Sequence, residues 1–252
     1  IQETFMDINL TEINIHPDDI VPYTGKASKE ILEKFGNLNG KGEFLGLVND
    51  FTVNGSFDTG LGTIVSDVNL KINANDDKSY YKGLLKTENF NLGKLLDIDF
   101  IQNIDMNGEI EGKGLSVESA ELQLAATINS LGLYGYNYKN IKTNAKLSKE
   151  FFSGEISVKD SNLVMNVNGK VDLKVYPEEF IIEGSVEKAR LKALHLSDDI
   201  TYVRSDFSLD FNGTALDSIL GKAALYNTKV LSHEKEINVK SFELVIDKDG
   251  QN

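Results

Sequence analysis

The chain has 252 residues, no cysteine and a formal net charge of −13 at pH 7. Lack of a basic surface excludes a nucleic-acid binder, and the same charge disfavours adsorption on anionic lipid. The absence of cysteine excludes disulfides, zinc–thiolate sites and thiol nucleophiles, and no apolar run is long enough to cross a membrane as a helix.

Strict alternation of apolar and polar residues recurs along the chain, as is typical of strands with one apolar face. In chain order it is clearest at residues 51–57, 68–72, 122–128, 163–175 and 207–211. Successive side chains of a strand point to opposite faces, so each stretch presents one apolar and one polar face. The pattern predicts an all-β fold with a mainly antiparallel sheet.

Helical patterns are few and short. Residues 28–35 predict a helix that stops at Gly36, and residues 92–98, 189–196 and 216–220 suggest further short pieces. Roughly 30 residues of helix are too few to cover the apolar face of about 15 strands. That face must therefore be covered by another layer, by the sheet itself or by a ligand.

Asn-Gly pairs occur five times, each after an apolar residue, and the glycines are Gly40, Gly55, Gly108, Gly169 and Gly213. A lone Asn-Gly usually marks a hairpin turn. Here the alternation keeps its phase through the pair, as in Val53, Gly55 and Phe57. Such a strand glycine indicates a bend, a bulge or close approach of another backbone. We expect these glycines to curve the sheet and leave room on its apolar side.

The similarity of two longer segments suggests an internal duplication of the chain. The segment from Gly83 to Asn107-Gly108 resembles the segment from Gly184 to Asn212-Gly213, at an offset of about 100 residues. We expect residues 1–252 to form one continuous, repeat-built unit, with repeats near 1–80, 81–180 and 181–252. Because both ends interrupt strand-like patterns, we expect a piece of a longer protein; a mature processed chain is the alternative.

Two stretches carry a family resemblance. The run His16-Pro17-Asp18-Asp19-Ile20-Val21-Pro22-Tyr23, followed by Leu38-Asn39-Gly40-Lys41-Gly42, and the run from Tyr81 to Leu96 resemble the repeating units of the TamB and AsmA-like proteins. The resemblance implies a long, strongly curved sheet forming a taco-like apolar groove. It also implies a periplasmic location in a diderm bacterium, a parent protein anchored in the inner membrane, and phospholipid transport to the outer membrane. An outer-membrane β-barrel partner is implied for some members.

The residues expected to line the groove are apolar positions of the alternating stretches. They are Val53, Phe57, Met106, Ile110, Leu122, Leu124, Leu163, Met165, Val167, Val171, Leu173, Phe207, Leu209 and Phe211. Phospholipid acyl chains are the expected partner. The alternative for each residue is an ordinary core position in a closed sandwich.

Motifs of catalysis and cofactor binding are missing from the sequence. It contains no Gly-x-Ser-x-Gly elbow, no His-Glu-x-x-His and no phosphate-binding loop. His16 with Asp18 and Asp19 suggests either a metal site or, as we expect, a turn in which an aspartate caps a short helix. We therefore expect no enzyme, no cofactor and no metal.

Four functions compete for this pattern. The first is a segment of a lipid conduit, and the second is an assembly scaffold that spaces other parts or offers edge strands to a client β-protein. The third is an adhesin or closed β-solenoid, which the uneven spacing of the Asn-Gly pairs disfavours. An enzyme is the fourth.

Overall fold

The computed structural model describes residues 4–24, 29–73, 75–214, 219–232 and 235–247. These residues form fourteen β-strands, three short α-helices and one 3-10 turn, so the predicted all-β class is confirmed. The chain divides into two compact units, residues 1–133 and 134–252. This division differs from the three predicted repeats, which stay a prediction.

The first unit contains seven strands and all three described helices. The strands are β1 (Phe5–Ile15), β2 (Leu38–Leu47), β3 (Asp50–Thr59), β4 (Gly62–Lys71), β5 (Tyr80–Asn91), β6 (Ile101–Lys113) and β7 (Glu121–Leu133). The helices are α1 (Pro17–Thr24), α2 (Lys29–Phe35) and α3 (Leu92–Leu96), and the 3-10 turn spans Asp76–Lys78. Each strand pairs antiparallel with the next one in sequence.

The second unit contains the other seven strands. They are β8 (Tyr136–Ser148), β9 (Phe151–Lys159), β10 (Leu163–Asp172), β11 (Glu179–Ala189), β12 (Ile200–Asn212), β13 (Leu220–Ser232) and β14 (Lys235–Ile246). Pairing again follows chain order and is antiparallel throughout. Among the described strands, neither unit joins its first strand to its last.

The helices agree only in part with the sequence pattern. α2 and α3 confirm the predictions at 28–35 and 92–98, although Ser28 lies outside the described residues. The helix predicted at 189–196 is wrong: the chain makes one turn, with Leu194 N–H donating to Arg190 O, and leaves it at His195, whose φ is +60°. Within the helix suggested at 216–220, residues 216–218 lie outside the described residues, and Leu220 begins β13.

Helix α1 begins with a cap that explains its sequence. Pro17 is the first helical residue, a position that needs no N–H. The backbone N–H of His16 donates to Asp19 Oδ2 at 3.0 Å, while the N–H of Asp18 donates to His16 Nδ1 at 3.3 Å. This exchange satisfies two backbone donors, as in a capping box. The expected aspartate cap is confirmed.

Four of the five Asn-Gly pairs lie inside strands, in β2, β3, β6 and β10, which confirms that they are not hairpin turns. The fifth differs. Asn212 ends β12, and Gly213 follows it with a φ of +86°, in the region that favours glycine. The N–H of Gly213 donates to Glu178 O at 2.8 Å and so holds the end of β12 against the start of β11.

Three asparagines shift the phase of the alternation inside strands. Asn89, Asn140 and Asn227 have φ values of 49°, 54° and 49°. Asn89 and Asn227 lie at register shifts of the β5–β6 and β12–β13 pairs. Each precedes a buried residue, respectively Phe90, Ile141 and Thr228. After a bulge with one left-handed residue, the side chains on the apolar face are those with residue numbers of the other parity. The strand therefore keeps the same apolar face on both sides of the bulge.

Candidate lipid-binding surface

One face of the sheet in each unit collects the apolar side chains. In the first unit Val53 lies opposite Phe44 on one side and Val68 on the other. In the second unit Leu209 lies opposite Ile182 and Ala223. Because directly opposite residues of an antiparallel pair share a face, these register rows define what we call the apolar face of each unit.

In the first unit the apolar face is largely buried. Of the predicted groove residues, Val53, Phe57, Met106 and Leu124 are buried, whereas Ile110 and Leu122 are half-buried. Ile13, Val53 and Phe57 form a cluster to which Phe44 and Phe51 add a tilted ring pair at 6.4 Å. These positions behave as ordinary core residues.

Helix α2 contributes to this cover. The rings of Phe35 and Phe90 are 6.0 Å apart, and Phe90 is only 4% exposed. Lys34 Nζ donates to Leu95 O at 3.1 Å and to Asp97 Oδ2 at 2.5 Å, which ties α2 to the end of α3. Helix α2 therefore covers part of the first unit through Phe35.

In the second unit the apolar face is less covered. Six of the predicted residues, Leu163, Met165, Val167, Val171, Phe207 and Leu209, are half-buried, and so is Phe211, whose ring stacks on Phe180 at 4.6 Å. The buried positions of β10–β13, four fully described strands, are Asp172, Ala189, Ser205 and Thr228. No large apolar side chain is buried on them, and no helix occurs among the described residues of this unit.

Leu173 does not lie on the apolar face of β10, where its place in the alternation predicted it. β10 ends at Asp172, and Leu173 follows it in a bend with 42% of its surface exposed. Its N–H donates to Glu150 O, and Lys174 N–H donates to Asp172 Oδ1, so the chain turns away from the strand here. Leu173 therefore leaves the set of candidate groove residues on the strands.

The in-strand glycines mark places where the next strand comes close. A Cβ on Gly40 would lie 2.1 Å from Ser56 O, one on Gly55 2.5 Å from Lys41 O, and one on Gly169 2.6 Å from Ile181 O. A Cβ on Gly108 would lie 2.6 Å from the Cβ of Ala126. The close approach expected of these glycines is thus present.

The free space expected next to these glycines on the apolar face is not present at all of them. At Gly55 the Cζ atom of Phe57 lies 2.8 Å from the position of a Cβ, and at Gly184 the Cζ atom of Phe207 lies at 3.1 Å. Aromatic rings of neighbouring positions thus fill the space that these glycines leave. Glycine at such a site serves packing.

A depression of about 640 Å³ crosses β8–β13. Its lining combines a row of the apolar face, which includes Ile156, Val167 and Phe207, with both flanking polar rows, which include Lys142 and Glu183. Val158 and Met165, two residues further along the apolar face, do not line it. Cross-strand rows one residue apart point to opposite faces, so residues of both faces border the depression. Val167 and Phe207 are two of the predicted groove residues.

A buried carboxylate joins β8 to the turn after β9. Asp160 is 5% exposed and accepts hydrogen bonds from Tyr136 Oη at 2.6 Å, Asn162 N at 2.8 Å and Lys139 N at 3.2 Å. Burial by itself raises the pKa of Asp160, but the bonds from Tyr136, Asn162 and Lys139 together outweigh burial, so its pKa is lowered. The arrangement is a structural tie rather than a reactive site.

An exposed charge cluster lies on the polar side of β5 and β6. Glu111 accepts a hydrogen bond from Tyr80 Oη at 2.7 Å and pairs with Lys82 Nζ at 2.8 Å. The bond from Lys82, followed by the bond from Tyr80, lowers the pKa of Glu111. Exposed pairs of this kind contribute little to stability.

The described residues contain no group of three or more His, Cys, Asp or Glu side chains suited to a metal ion. None of their helices has the length and hydropathy needed to cross a membrane.

The fold and this surface define a class of protein: an antiparallel all-β chain whose sheet has one apolar face, well covered in the first unit and half-covered on β10–β13 of the second. No protein-family model, curated protein or solved structure matches the chain. The similarity to the TamB and AsmA-like proteins therefore stays a prediction from the sequence.

Proposed function

We propose that this chain is a non-catalytic, periplasmic lipid-binding segment that shields acyl chains during phospholipid transport between the inner and outer membranes. The observation that carries the proposal is the half-buried apolar face of β10–β13, which has no described helix over it. The taco-like curvature, the periplasmic location and the membrane anchor of the parent protein come from the family resemblance and belong to the same proposal.

The energetics favour an acyl chain as the missing cover. Burying each CH₂ group is worth about 0.8 kcal/mol, so a chain of roughly 16 carbons gains on the order of 10 kcal/mol at most. The attraction is non-directional. A lipid can therefore move from row to row of the apolar face without breaking specific bonds.

Lipid binding is tested with one substitution on each face of β12. Leu209 is half-buried on the apolar face, and the next residue, Ser208, is exposed on the polar face. Leu209→Asp places a charge where the acyl chain would lie, and desolvating that charge is costly. We expect Leu209→Asp to weaken binding of the fluorescent fatty acid cis-parinaric acid at least about tenfold.

Ser208→Asp adds the same charge and is the matched control, with unchanged affinity expected. Near-ultraviolet circular dichroism checks that both variants keep their packing. Equal affinities of the two folded variants would contradict lipid binding on the apolar face.

An assembly scaffold is the second candidate function, and one observation favours it. β14 is an outer strand with eleven exposed residues of twelve. Strands of this kind accept an additional strand from another chain. In the parent protein the sheet would help insert outer-membrane or secreted β-proteins together with an outer-membrane β-barrel protein. This function predicts that Leu209→Asp leaves assembly intact, whereas a proline in β14 abolishes it.

A further inference from the structure

Two loops of the fold begin with the same backbone hydrogen bond. One joins β4 to β5 in the first unit, and the other, residues 173–178, joins β10 to β11 in the second. Ile72 N–H donates to Asn49 O at 2.8 Å, and Leu173 N–H donates to Glu150 O at 2.9 Å. In both units the acceptor directly precedes the strand that pairs with the strand before the loop, β3 or β9.

The two loops also end with the same backbone hydrogen bond. Gly114 N–H donates to Ser79 O at 2.9 Å, and Gly213 N–H donates to Glu178 O at 2.8 Å. Both glycines have a left-handed φ, of +76° and +86°. The β4–β5 loop and the β10–β11 loop therefore make equivalent connections, each within its own unit.

The β4–β5 loop makes this connection mainly with polar residues. Ser79 is 1% exposed, and its Oγ accepts a hydrogen bond from Asn73 N–H at 3.0 Å. The side chain of Asn73 in turn accepts a bond from Asn75 N–H at 3.0 Å. The loop continues through the 3-10 turn formed by Asp76, Asp77 and Lys78. A polar loop is therefore sufficient for this connection.

The β10–β11 loop instead exposes apolar side chains. Leu173, Val175 and Tyr176 are 42%, 45% and 92% exposed, and Pro177 is exposed as well. Since the equivalent loop of the first unit is polar, connecting the two strands does not require these side chains. Adjoining apolar side chains in water are typical of a contact site for another molecule.

The one cation within this apolar run is held away from the tip of the loop. Lys174 Nζ donates to Ser148 Oγ at 2.7 Å and lies 6.0 Å from the centre of the Phe151 ring. Ser148 ends β8 and Phe151 begins β9, so the ammonium group lies beside the sheet. Residues 175–177 thus form an uncharged tip, which can leave water without the cost of desolvating a charge.

The chemistry of this tip fits the surface of a lipid bilayer. Tyrosine is favoured where a bilayer meets water, because its ring is apolar and its hydroxyl group stays hydrated. Apolar neighbours such as Val175 add to the area that an interfacial segment buries. The nearly full exposure of Tyr176 makes the tip a projection, which can insert between lipids. A net charge of −13 favours a zwitterionic surface over an anionic one.

We propose that the β10–β11 loop is a membrane-contact site, at which Leu173, Val175 and Tyr176 insert into the interfacial region of a zwitterionic bilayer. The loop directly follows the last apolar-face residue of β10, Val171, so this contact places one end of that face beside the bilayer. Bilayer contact and lipid binding on β10–β13 are separate properties, and each is measured without the other.

The chain contains no tryptophan, so a single tryptophan reports on its own surroundings. We expect the emission of Tyr176→Trp to shift to shorter wavelength on phosphatidylcholine vesicles at about 1 mM lipid, and to be quenched by brominated acyl chains, as for an interfacial aromatic residue. The matched control is Asn75→Trp, at an exposed position of the β4–β5 loop. Its emission should not change.

A charge in the tip tests whether the neighbouring apolar side chains take part. Val175→Asp, added to Tyr176→Trp, should lower the bound fraction at least about fivefold, because the carboxylate must be desolvated. In the otherwise natural chain, Val175→Asp should reduce sedimentation with sucrose-loaded phosphatidylcholine vesicles. Added salt should leave the binding unchanged, since the contact is apolar.

Four results would each overturn the proposal. They are an unshifted emission of Tyr176→Trp, equal shifts of the two tryptophan variants, no effect of Val175→Asp in either assay, and loss of binding in salt. Bilayer insertion by a chain that binds no cis-parinaric acid would support the contact site and contradict only the lipid-binding function.

Discussion

The carboxylate of Asp160 is a single residue on which the start of the second unit depends. It accepts four hydrogen bonds, from Tyr136 and Lys139 of β8 and from Ser161 and Asn162 of the turn after β9, and it is buried. Its lowered pKa means that the folded state favours the ionised form. A group of this kind contributes stability that is present above its unfolded pKa, about 3.9, and is lost as the pH falls through its folded pKa.

We predict that Asp160→Asn lowers the free energy of unfolding by about 1.5–3 kcal/mol at pH 7, the range for hydrogen bonds to a charged group. Urea unfolding at pH 7 and at pH 3 measures the effect. The wild type should lose more stability than the variant between these two pH values, because only the wild type has this carboxylate to protonate. Equal losses of stability in the wild type and the variant would show that Asp160 does not cause the pH dependence of unfolding. Asp198→Asn, at an exposed turn position, is the control.

At the scale of strands, the alternating stretches predicted β3, β4, β7, β10 and β12, whereas the phase shifts were not predicted. The apolar parity moves from Thr87 to Phe90 and from Tyr138 to Ile141, with a left-handed asparagine between in each case. A local sequence pattern cannot distinguish such a phase shift from the end of a strand, because contacts with the neighbouring strand stabilise the bulge. Asn89 N–H, for example, donates to Asp105 Oδ1 at 2.5 Å.

The in-strand glycines give the prediction at this scale. In β2, Gly40→Ala would place a methyl group 2.1 Å from a backbone oxygen of β3. Because neighbouring backbone cannot yield cheaply, we expect a loss of about 1–3 kcal/mol in the free energy of unfolding, the range for overpacking. Thermal and urea unfolding measure it.

Gly42→Ala in the same strand is the comparison variant. Its methyl group would lie 3.0 Å from Asn54 O and 3.1 Å from Cζ of Phe57, so a small shift relieves the contact. Its cost should be clearly smaller than that of Gly40→Ala. If both substitutions cost the same, close approach of the strands is not what requires Gly40.

At the scale of the whole molecule the two units differ in how their apolar faces are covered. The sequence presents both units as the same alternating pattern, so Leu124 and Val167 were equivalent candidates. Leu124 is buried in the first unit, and Val167 is half-buried in the second. Sequence could not separate them, because burial depends on long-range packing that a local pattern does not show.

The same difference makes the second unit the place to look for lipid. A charge at Leu124 would disturb a buried position, so a loss of lipid binding could equally result from a loss of folding. A charge at the half-buried Leu209 does not have this problem. We therefore expect bound lipid to depend on β10–β13 and to be insensitive to changes on the polar face.

Native mass spectrometry of the chain, expressed in a bacterial periplasm and purified without detergent, tests the central claim most directly. We predict protein ions carrying additional mass equal to one or more phospholipids, and we predict that Leu209→Asp removes this mass while Ser208→Asp retains it. Folded wild-type protein without any bound lipid, prepared at the same protein concentration, would contradict the account.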